Sequence, residues 1–424
     1  MTFFRQTSIL LKDMSYLLDY LRRNIIFILL AFCLIAEVIV ILPFKEVIYY
    51  AGIIYVASYV IRNNSQHNKF GTYYIIFLTV CLISSCLAFT LDYRLFAFVF
   101  LLIAFTPITT SFKIFVFRKQ YLYFCLMFFP ILAIASLLCY FFDINYYVPE
   151  GIQGGNELDF SAFFPHPMWL GAALGLSNIV LAWLVFSVKN KIFAWTYAVL
   201  LLLSVYLSVV AASRSAFFAS VIAMFIFIVL KLHDLKKIFF AGIIISVIAV
   251  ALLPFYIIGS KRMQDKFDKS QGKYGSRTEL FDAGLSTFER RPLLGQGFAV
   301  KYNTEGEKSV GRMETGSGWL SILTQTGLLG FIIVCLLVLK VRKVFPYLFI
   351  DNKLLLYFSS FLYLCLHSCF EGYLLTVGYY PGVMFWTLLG FLHVYPYYKD
   401  KELKYIEMLN FGRDEYSVSE KVSQ

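Results

Sequence analysis

The chain has 424 residues, of which 60% are hydrophobic and only 15% are charged. A soluble globular domain has about 45–50% apolar and about 25% charged residues, so this composition excludes a soluble globular protein. The net charge of +11 does not indicate nucleic-acid binding, because Lys and Arg collect in alternate short loops, as the positive-inside rule of membrane proteins requires. We therefore expect no nucleic-acid partner.

Apolar runs of about 17–22 residues recur along most of the chain, and each can cross about 30 Å of hydrocarbon. They predict an all-α integral membrane protein, a polytopic bundle of about 12 transmembrane helices, although eleven or thirteen spans also fit the pattern. The first run lacks a small-residue cleavage site, which predicts a retained span and not a signal peptide. In chain order the predicted spans are residues 24–42, 47–61, 72–90, 95–112, 121–141, 168–187, 192–211, 216–231, 238–258, 317–339, 353–369 and 379–396.

The basic loops all fall on one side of the membrane if the N-terminus is cytoplasmic. Both termini are then cytoplasmic, and the acidic 142–167 loop and the turn at Arg214 lie outside. The longest polar stretch is also outside and is predicted to be one large extracytoplasmic loop containing short helices. The predicted units are a membrane bundle of spans one to nine (1–258), the extracytoplasmic loop (259–316), a bundle of spans ten to twelve (317–396) and a cytoplasmic tail (397–424).

Arg214 is the strongest candidate for a functional residue, because it lies in the apolar stretch SVVAASRSAFFASV with no other charge nearby. A guanidinium near membrane depth costs at least about 2.5–3.5 kcal/mol on insertion scales, so it is normally retained for a partner or ligand. The alternative is an arginine at a span end that extends to the interface. The flanking Ala and Ser residues leave room for a bulky anion.

The 259–316 loop has helical spacing from about Ser276 to Arg290, with one face formed by Leu280, Phe281, Leu285 and Phe288. Ser276 is a candidate helix cap with Glu279 three residues later. The loop contains more basic than acidic residues, which suggests an anionic ligand. Planar guanidinium groups bind phosphate bidentately, so the candidates for such a ligand are Arg277, Arg290 and Arg291. The alternative is a solvated loop of mixed charge.

Three further residues are candidates for acid–base chemistry near the outer interface. His166, in FFPHPMWLG, is a possible general base or hydrogen-bond donor to a sugar, or a turn residue held between two prolines. Glu314 precedes the tenth predicted span and Glu371 follows the eleventh. Either carboxylate has the chemistry to deprotonate a sugar hydroxyl, and either is also compatible with a structural role.

Metal and cofactor sites are not indicated by the sequence. The eight cysteines lie in or beside apolar runs, with no CxxC and no Cys/His cluster, which excludes the usual spacings of zinc sites and disulfide frameworks. Gly295-Gln296-Gly297 lacks the third glycine and the preceding strand of a dinucleotide site, so we predict a tight turn there. We expect no metal and no cofactor.

Four segments together resemble the O-antigen polymerase and ligase family of bacterial envelope polysaccharide assembly. They are FPHPMWLGAAL at the sixth span, SRSA at 213–216, SRTELFDAGLSTFERRPLLGQGF at 276–298 and GSGWLSILTQTGLLGF at 316–331. Each segment is short, but their order and spacing across the spans match the family over residues 160–340.

The resemblance implies a multi-span bundle in the bacterial cytoplasmic (inner) membrane, with a large extracytoplasmic loop partly covering a cavity. Such enzymes are metal-independent glycosyltransferases whose donor is a glycan linked to polyprenyl diphosphate. Arginines stabilise the diphosphate leaving group, and a base activates the acceptor hydroxyl. Arg214 matches the arginine of the family's SR motif, Arg277 matches the arginine that opens the loop helix, and His166 matches the histidine of the HP motif.

The sequence departs from the family at one place. Ligase-like members commonly have a histidine before the glycine- and leucine-rich span that follows the large loop, whereas residues 314–319 contain none. This difference favours a polymerase of the Wzy type and leaves the base open between Glu314 and His166. The alternatives are a ligase with the same chemistry and another lipid acceptor, and a flippase or other transporter of lipid-linked oligosaccharide. Expected partners are the lipid-linked substrate, membrane lipid, a chain-length regulator and a flippase.

Overall fold

The computed structural model of the chain describes residues 22–63, 70–89, 91–146, 160–211, 213–232, 242, 277–298 and 316–422, with side chains for all of these except 277–279 and 402–422. Every regular element in these ranges is a helix. In chain order they are α1 (22–36), α2 (Lys45–Asn63), α3 (Thr72–Leu87), α4 (Tyr93–Phe105), α5 (Phe112–Phe141), α6 (Pro167–Ser187), α7 (Lys191–Val210), α8 (Arg214–Leu232), α9 (Arg277–Arg290), α10 (Gly318–Lys340), α11 (Asn352–His367) and α12 (Tyr380–Val422). The short segments Val341–Val344 and Phe345–Leu348 connect α10 to α11.

Five of the described helical segments are long and apolar enough to cross a membrane: Phe112–Phe141, Pro167–Ser187, Lys191–Val210, Arg214–Leu232 and Gly318–Leu348. The predicted all-α membrane architecture is therefore confirmed for the described part of the chain. The count of about 12 spans stays a prediction. The predicted ninth span, 238–258, and most of the 259–316 loop lie outside the described residues, and the side of the membrane that the loop faces also stays a prediction.

Polar residues between the apolar runs determine where several helices begin. The side chain of Asp92 accepts a hydrogen bond from the Arg94 amide at the start of α4. Asp351 accepts from the amides of Lys353 and Leu354 at the start of α11. Such side chains satisfy amides that have no partner in the first turn of a helix. The boundaries of these helices thus follow directly from the local sequence.

Helix α6 lies deep in the bundle, and its glycines allow neighbouring elements to approach closely. A Cβ atom at Gly171 would lie 2.5 Å from the Ser213 Oγ, just before α8. A Cβ atom at Gly175 would lie 2.5 Å from Cε2 of the buried Tyr363 ring in α11. The Tyr363 hydroxyl donates to the Ala172 carbonyl oxygen at 3.1 Å. Small residues at such positions bring the backbones of membrane helices together.

Replacing Gly175 with alanine is expected to destabilise the protein by about 1–3 kcal/mol, because the added methyl group must displace the buried Tyr363 ring. Thermal unfolding of the purified protein in detergent measures the loss. Gly242→Ala is the control, since its only described neighbour within 4 Å is Phe225 at 3.8 Å. Equal unfolding temperatures for the two variants would contradict the packing argument.

Arg118 corrects the predicted position of the fifth span. The sequence pattern placed that span at 121–141 and Arg118 in the loop before it, but α5 begins at Phe112 and Arg118 is only 1% exposed. Its Nε and Nη2 donate to the Ala104 carbonyl oxygen at 3.2 and 2.6 Å, near the C-terminal end of α4. Arg118 therefore lies inside the bundle and not in a loop. Its buried charge is stabilised because the C-terminal end of a helix carries partial negative charge.

Candidate functional site

Several helix connections meet at one end of the bundle, which we call the Arg214 end. The Val40 amide, after α1, donates to the carbonyl oxygen of Phe163 in the segment before α6, at 3.0 Å. The Gly318 amide, at the start of α10, donates to the Ser368 carbonyl oxygen at 2.8 Å. This end therefore combines the segments 37–44, 160–166, 316–318 and 368–379 with the first turn of α8.

Arg214 is the first residue of α8, and its side chain is exposed. The residues on both sides of it are held in place. Ser213 packs on Gly171 of α6, where a Cβ atom would collide with it. The Ser215 hydroxyl donates to Oε1 of Glu371 at 3.2 Å. The guanidinium thus projects from a fixed backbone at a helix N-terminus, where backbone amides and helix dipole also favour an anion.

Glu371 is brought to Arg214 by the folding of the chain, although 156 residues separate it from Ser215. It is 2% exposed and lies in the segment after α11. A Cβ atom at Gly318 would lie 3.2 Å from the Glu371 carbonyl oxygen, so the start of α10 packs directly on this residue. A buried carboxylate is expensive to desolvate and is usually retained for a specific interaction. Of the two acidic candidates, Glu371 is the one that the structure describes.

His166 is the N-cap of α6, and its Nδ1 accepts a hydrogen bond from the Met168 amide at 3.1 Å. A neutral imidazole that accepts at Nδ1 carries its proton on Nε2. The ring is then a hydrogen-bond donor through Nε2, so the geometry favours the predicted donor role over the role of general base. The first turn of α6 also contacts the start of α12, because the Tyr380 hydroxyl donates to the Trp169 carbonyl oxygen at 3.2 Å.

The other predicted site residues are distributed around the loop helix α9. Arg277 is its first described residue, and the side chain of Arg277 is not among those described. Arg290 ends the helix and is exposed. Arg291 donates through Nη1 to the Leu87 carbonyl oxygen at 3.0 Å, at the C-terminal end of α3. Arg291 therefore attaches the loop helix to the bundle. Glu314 lies outside the described residues.

The apolar face predicted for the loop helix included Leu285, and this position is wrong. Leu285 is 47% exposed, whereas Gly284 is buried. Leu280 and Phe288 are partly buried, as is Thr287, whose carbonyl oxygen accepts from Gln296 Nε2 at 3.2 Å. The packed face is therefore turned toward Gly284, because the chain folds back onto the helix after Arg290.

The segment 292–298 inserts beside a break in α10 that the sequence analysis missed. Gly327 interrupts the helix with φ 66° and ψ −170°. The Gly297 amide donates to the Gln325 carbonyl oxygen at 3.1 Å, and the Leu328 amide donates to the Pro292 carbonyl oxygen at 2.8 Å. The backbone groups freed by the break are thus satisfied by the inserted segment, as the interior of a membrane protein requires. A glycine within an apolar span was the available signal.

Gly295 and Gly297 have φ values of 73° and 90°, so the tight turn predicted for Gly295-Gln296-Gly297 is confirmed. Both conformations lie in the left-handed region that glycine adopts without strain. Beyond this turn, Phe298 is buried, and its amide donates to the Ser85 Oγ in α3 at 2.9 Å. The turn therefore directs the chain into the bundle between α3 and α10.

Two ionisable residues of the Arg214 end were not predicted as site residues. His367, the last residue of α11, is fully buried and stacks on Tyr363 with ring centroids 5.4 Å apart. Glu37 follows α1 and lies against Gly378. The signal for both was an ionisable residue within an apolar run, in LCLHSCF and FCLIAEVIV. Among the described residues, no group of His, Cys, Asp and Glu has the arrangement of a metal site.

Apolar helices packed into a bundle, with a cluster of ionisable side chains at one end, define a multi-pass α-helical membrane protein with a candidate site at that end of the bundle. The family model described as O-antigen ligase matches residues 198–335, a stretch that includes Arg214, Arg277 and Glu314. The match confirms the resemblance to the O-antigen polymerase and ligase family. It implies an enzyme of the glycosyltransferase type that acts on lipid-linked glycans in the membrane. No curated protein matches the chain.

Proposed function

We propose that the chain is a polysaccharide polymerase of the Wzy type in the bacterial cytoplasmic membrane, with its Arg214 end facing outward. It transfers a growing glycan from one polyprenyl diphosphate to the non-reducing end of a lipid-linked repeat unit. The product is a surface polysaccharide such as O-antigen, capsule or exopolysaccharide. The reaction needs no metal, because arginine side chains offset the charge of the diphosphate.

The observation that carries this proposal is the hydrogen bond from Ser215 to Glu371, which places a buried carboxylate one residue from Arg214. Glycosyl transfer needs a base at the acceptor hydroxyl and a cation at the leaving group. In the proposed reaction Glu371 takes the proton of the acceptor hydroxyl, and the hydroxyl oxygen forms a bond to the anomeric carbon. The bond between that carbon and the diphosphate oxygen breaks, and Arg214 stabilises the departing diphosphate.

The remaining predicted residues support these two roles in the proposal. Arg277 and Arg290 bind the donor diphosphate from the loop helix, and the Nε2–H of His166 donates to substrate. Glu314 remains an alternative base. Arg291 anchors the loop helix to the bundle instead of binding the ligand, because its guanidinium donates to the Leu87 carbonyl oxygen at the end of α3. A chain-length regulator and a flippase are the expected partners in the membrane.

Two other functions are compatible with the same candidate site. A ligase shares the chemistry and differs only in its acceptor, and the absence of histidine from residues 314–319 favours the polymerase. A flippase for lipid-linked oligosaccharide would be expected to place charges near the middle of several spans. The described charges of the site lie instead in connections at one end of the bundle, which favours an enzyme.

The test is the ladder of polysaccharide lengths in cells that lack this protein, complemented with wild type, Glu371→Gln or Glu46→Gln at equal membrane levels. Glu46 is exposed in the first turn of α2 and serves as a matched carboxylate control. We expect wild type and Glu46→Gln to restore the ladder and Glu371→Gln to leave single lipid-linked repeats. Long chains that stay on the lipid carrier in the deletion strain would instead identify a ligase, and repeats trapped on the cytoplasmic face would identify a transporter.

A further inference from the structure

Three polar atoms in the connections at the Arg214 end are buried and have no hydrogen-bond partner among the described residues. They are Oε2 of Glu37, Oγ of Ser213 and the hydroxyl oxygen of Tyr379. Buried polar atoms in proteins are nearly always paired, so three unpaired atoms at one end of a bundle require an explanation. Ser213 adjoins Arg214 and belongs to the diphosphate side of the proposed site. Glu37 and Tyr379 have no assigned role.

Glu37 lies against the segment that carries Glu371. Its Oε1 is 3.0 Å from the position that a Cβ atom would take at Gly378, so the carboxyl group packs closely on the backbone of this segment. The segment is held at this point by Tyr49, whose hydroxyl donates to the Val377 carbonyl oxygen. Among the described residues, no basic side chain forms an ion pair with Glu37.

Tyr379 stands on the same segment, and its ring is fixed by aromatic neighbours. It stacks on Trp169 with ring centroids 4.5 Å apart and meets Tyr380 nearly at a right angle at 5.2 Å. Tyr373 is a further aromatic neighbour, with ring centroids 6.0 Å apart. The ring is therefore held by its neighbours while its hydroxyl bonds to no described atom, so burial of the hydroxyl costs desolvation energy without a compensating hydrogen bond.

We infer that Glu37 and Tyr379 form a subsite for the acceptor glycan, a role that rests on the proposed transferase function. From Arg214 the path leads through Ser215 to Glu371 and then along the 371–379 segment to Tyr379 and Glu37. If the leaving group is at Arg214 and the reacting hydroxyl is at Glu371, the rest of the acceptor extends along this segment. A carboxylate accepts hydrogen bonds from sugar hydroxyls, and a phenol both donates and accepts.

The chemistry of the subsite differs from that of the diphosphate site. It offers a carboxylate, a phenol and the aromatic surface of Trp169, which suit an uncharged or weakly charged sugar and not a phosphate. Both unpaired atoms are shielded from solvent, so a glycan must displace the groups over them. Its hydroxyls then supply the hydrogen bonds that the protein does not provide.

The probe is the repeat-unit oligosaccharide released by mild acid from the lipid-linked repeats that accumulate in cells lacking this protein. Full-length protein in nanodiscs is compared with Glu37→Gln, Tyr379→Phe and the control Asp400→Asn, which changes an exposed carboxylate that accepts a hydrogen bond from Tyr347. We expect the dissociation constant for the released oligosaccharide to rise about tenfold for each of the first two variants, as loss of one hydrogen bond to a ligand predicts, and to stay unchanged for Asp400→Asn. Unfolding temperatures should not fall, because neither atom bonds to a described protein group.

Arg214→Ala distinguishes binding at the diphosphate site from binding at the acceptor subsite. It should weaken binding of the intact lipid-linked repeat and leave binding of the released oligosaccharide unchanged. Wild-type affinity in Glu37→Gln and Tyr379→Phe, or an affinity loss that merely follows a loss of unfolding temperature, would overturn the subsite. If cells lacking the protein accumulate no lipid-linked repeats at all, the proposed polymerase function is wrong, and the acceptor subsite that rests on it is overturned with it.

Discussion

Arg214→Ala is expected to lower the rate of glycan transfer by about 10²–10³-fold, the usual effect of removing one group that stabilises developing negative charge. Because the Arg214 side chain is exposed, we expect the substitution to lower the transfer rate without destabilising the fold. Ser213 and Ser215 would still hold the backbone against Gly171 and Glu371. The measurement is chain extension of purified lipid-linked repeats by equal amounts of folded wild type and variant.

Two further variants define what Arg214 does. Arg214→Lys should recover only part of the rate, because an ammonium group keeps the charge but cannot offer two parallel donors to a phosphate. Arg94→Ala is the control, since Arg94 stands at the start of α4 beside Asp92 at 4.0 Å. A variant of Arg214 with full transfer rate, or an equal loss in Arg94→Ala, would remove the arginine from the mechanism.

Gly327→Ala is expected to cost roughly 3–5 kcal/mol of folding free energy, a sum of left-handed backbone strain and several disrupted hydrogen bonds. The added Cβ atom would lie 2.5 Å from the Leu294 amide nitrogen and would overlap the Leu293 carbonyl group. These neighbours are backbone atoms and cannot rotate away. The inserted segment would therefore lose its contacts with the broken part of α10.

The amount of folded protein in membranes and its unfolding temperature in detergent measure this loss. Leu329→Ala is the control, because it changes an exposed side chain two residues away and leaves the break intact. We expect Gly327→Ala to accumulate poorly and Leu329→Ala to accumulate normally. Normal folding of Gly327→Ala would show that α10 tolerates a continuous helix and that the insertion of residues 292–298 is not required.

The break in α10 also connects the loop helix to the candidate site. Residues 318–326 run from the break to Gly318, whose Cβ position lies 3.2 Å from the Glu371 carbonyl oxygen. The inserted segment pairs with the other end of this half-helix. Discontinuous helices in membrane proteins commonly form ligand sites at their exposed backbone ends. The position of Glu371 therefore depends on the same backbone pairing that anchors α9.

The sequence by itself determined the class of protein, because hydrocarbon thickness fixes the length of a span and the positive-inside rule fixes the placement of basic loops. It also singled out Arg214 as a candidate by its isolation in an apolar stretch, predicted the loop helix from its periodicity, and showed a resemblance to one family in four short segments. These signals are local, and each can be read within about twenty residues.

The tertiary structure alone decided which of these residues meet. Ser215 and Glu371 are 156 positions apart, and Glu37 meets Gly378 across most of the chain. Arg118 could not be placed inside the bundle from the sequence, because its partner is a carbonyl group at the end of another helix. The break at Gly327 is stable only because residues 292–297 satisfy the freed backbone groups. Contacts of this kind depend on helix packing, which hydropathy and spacing do not encode.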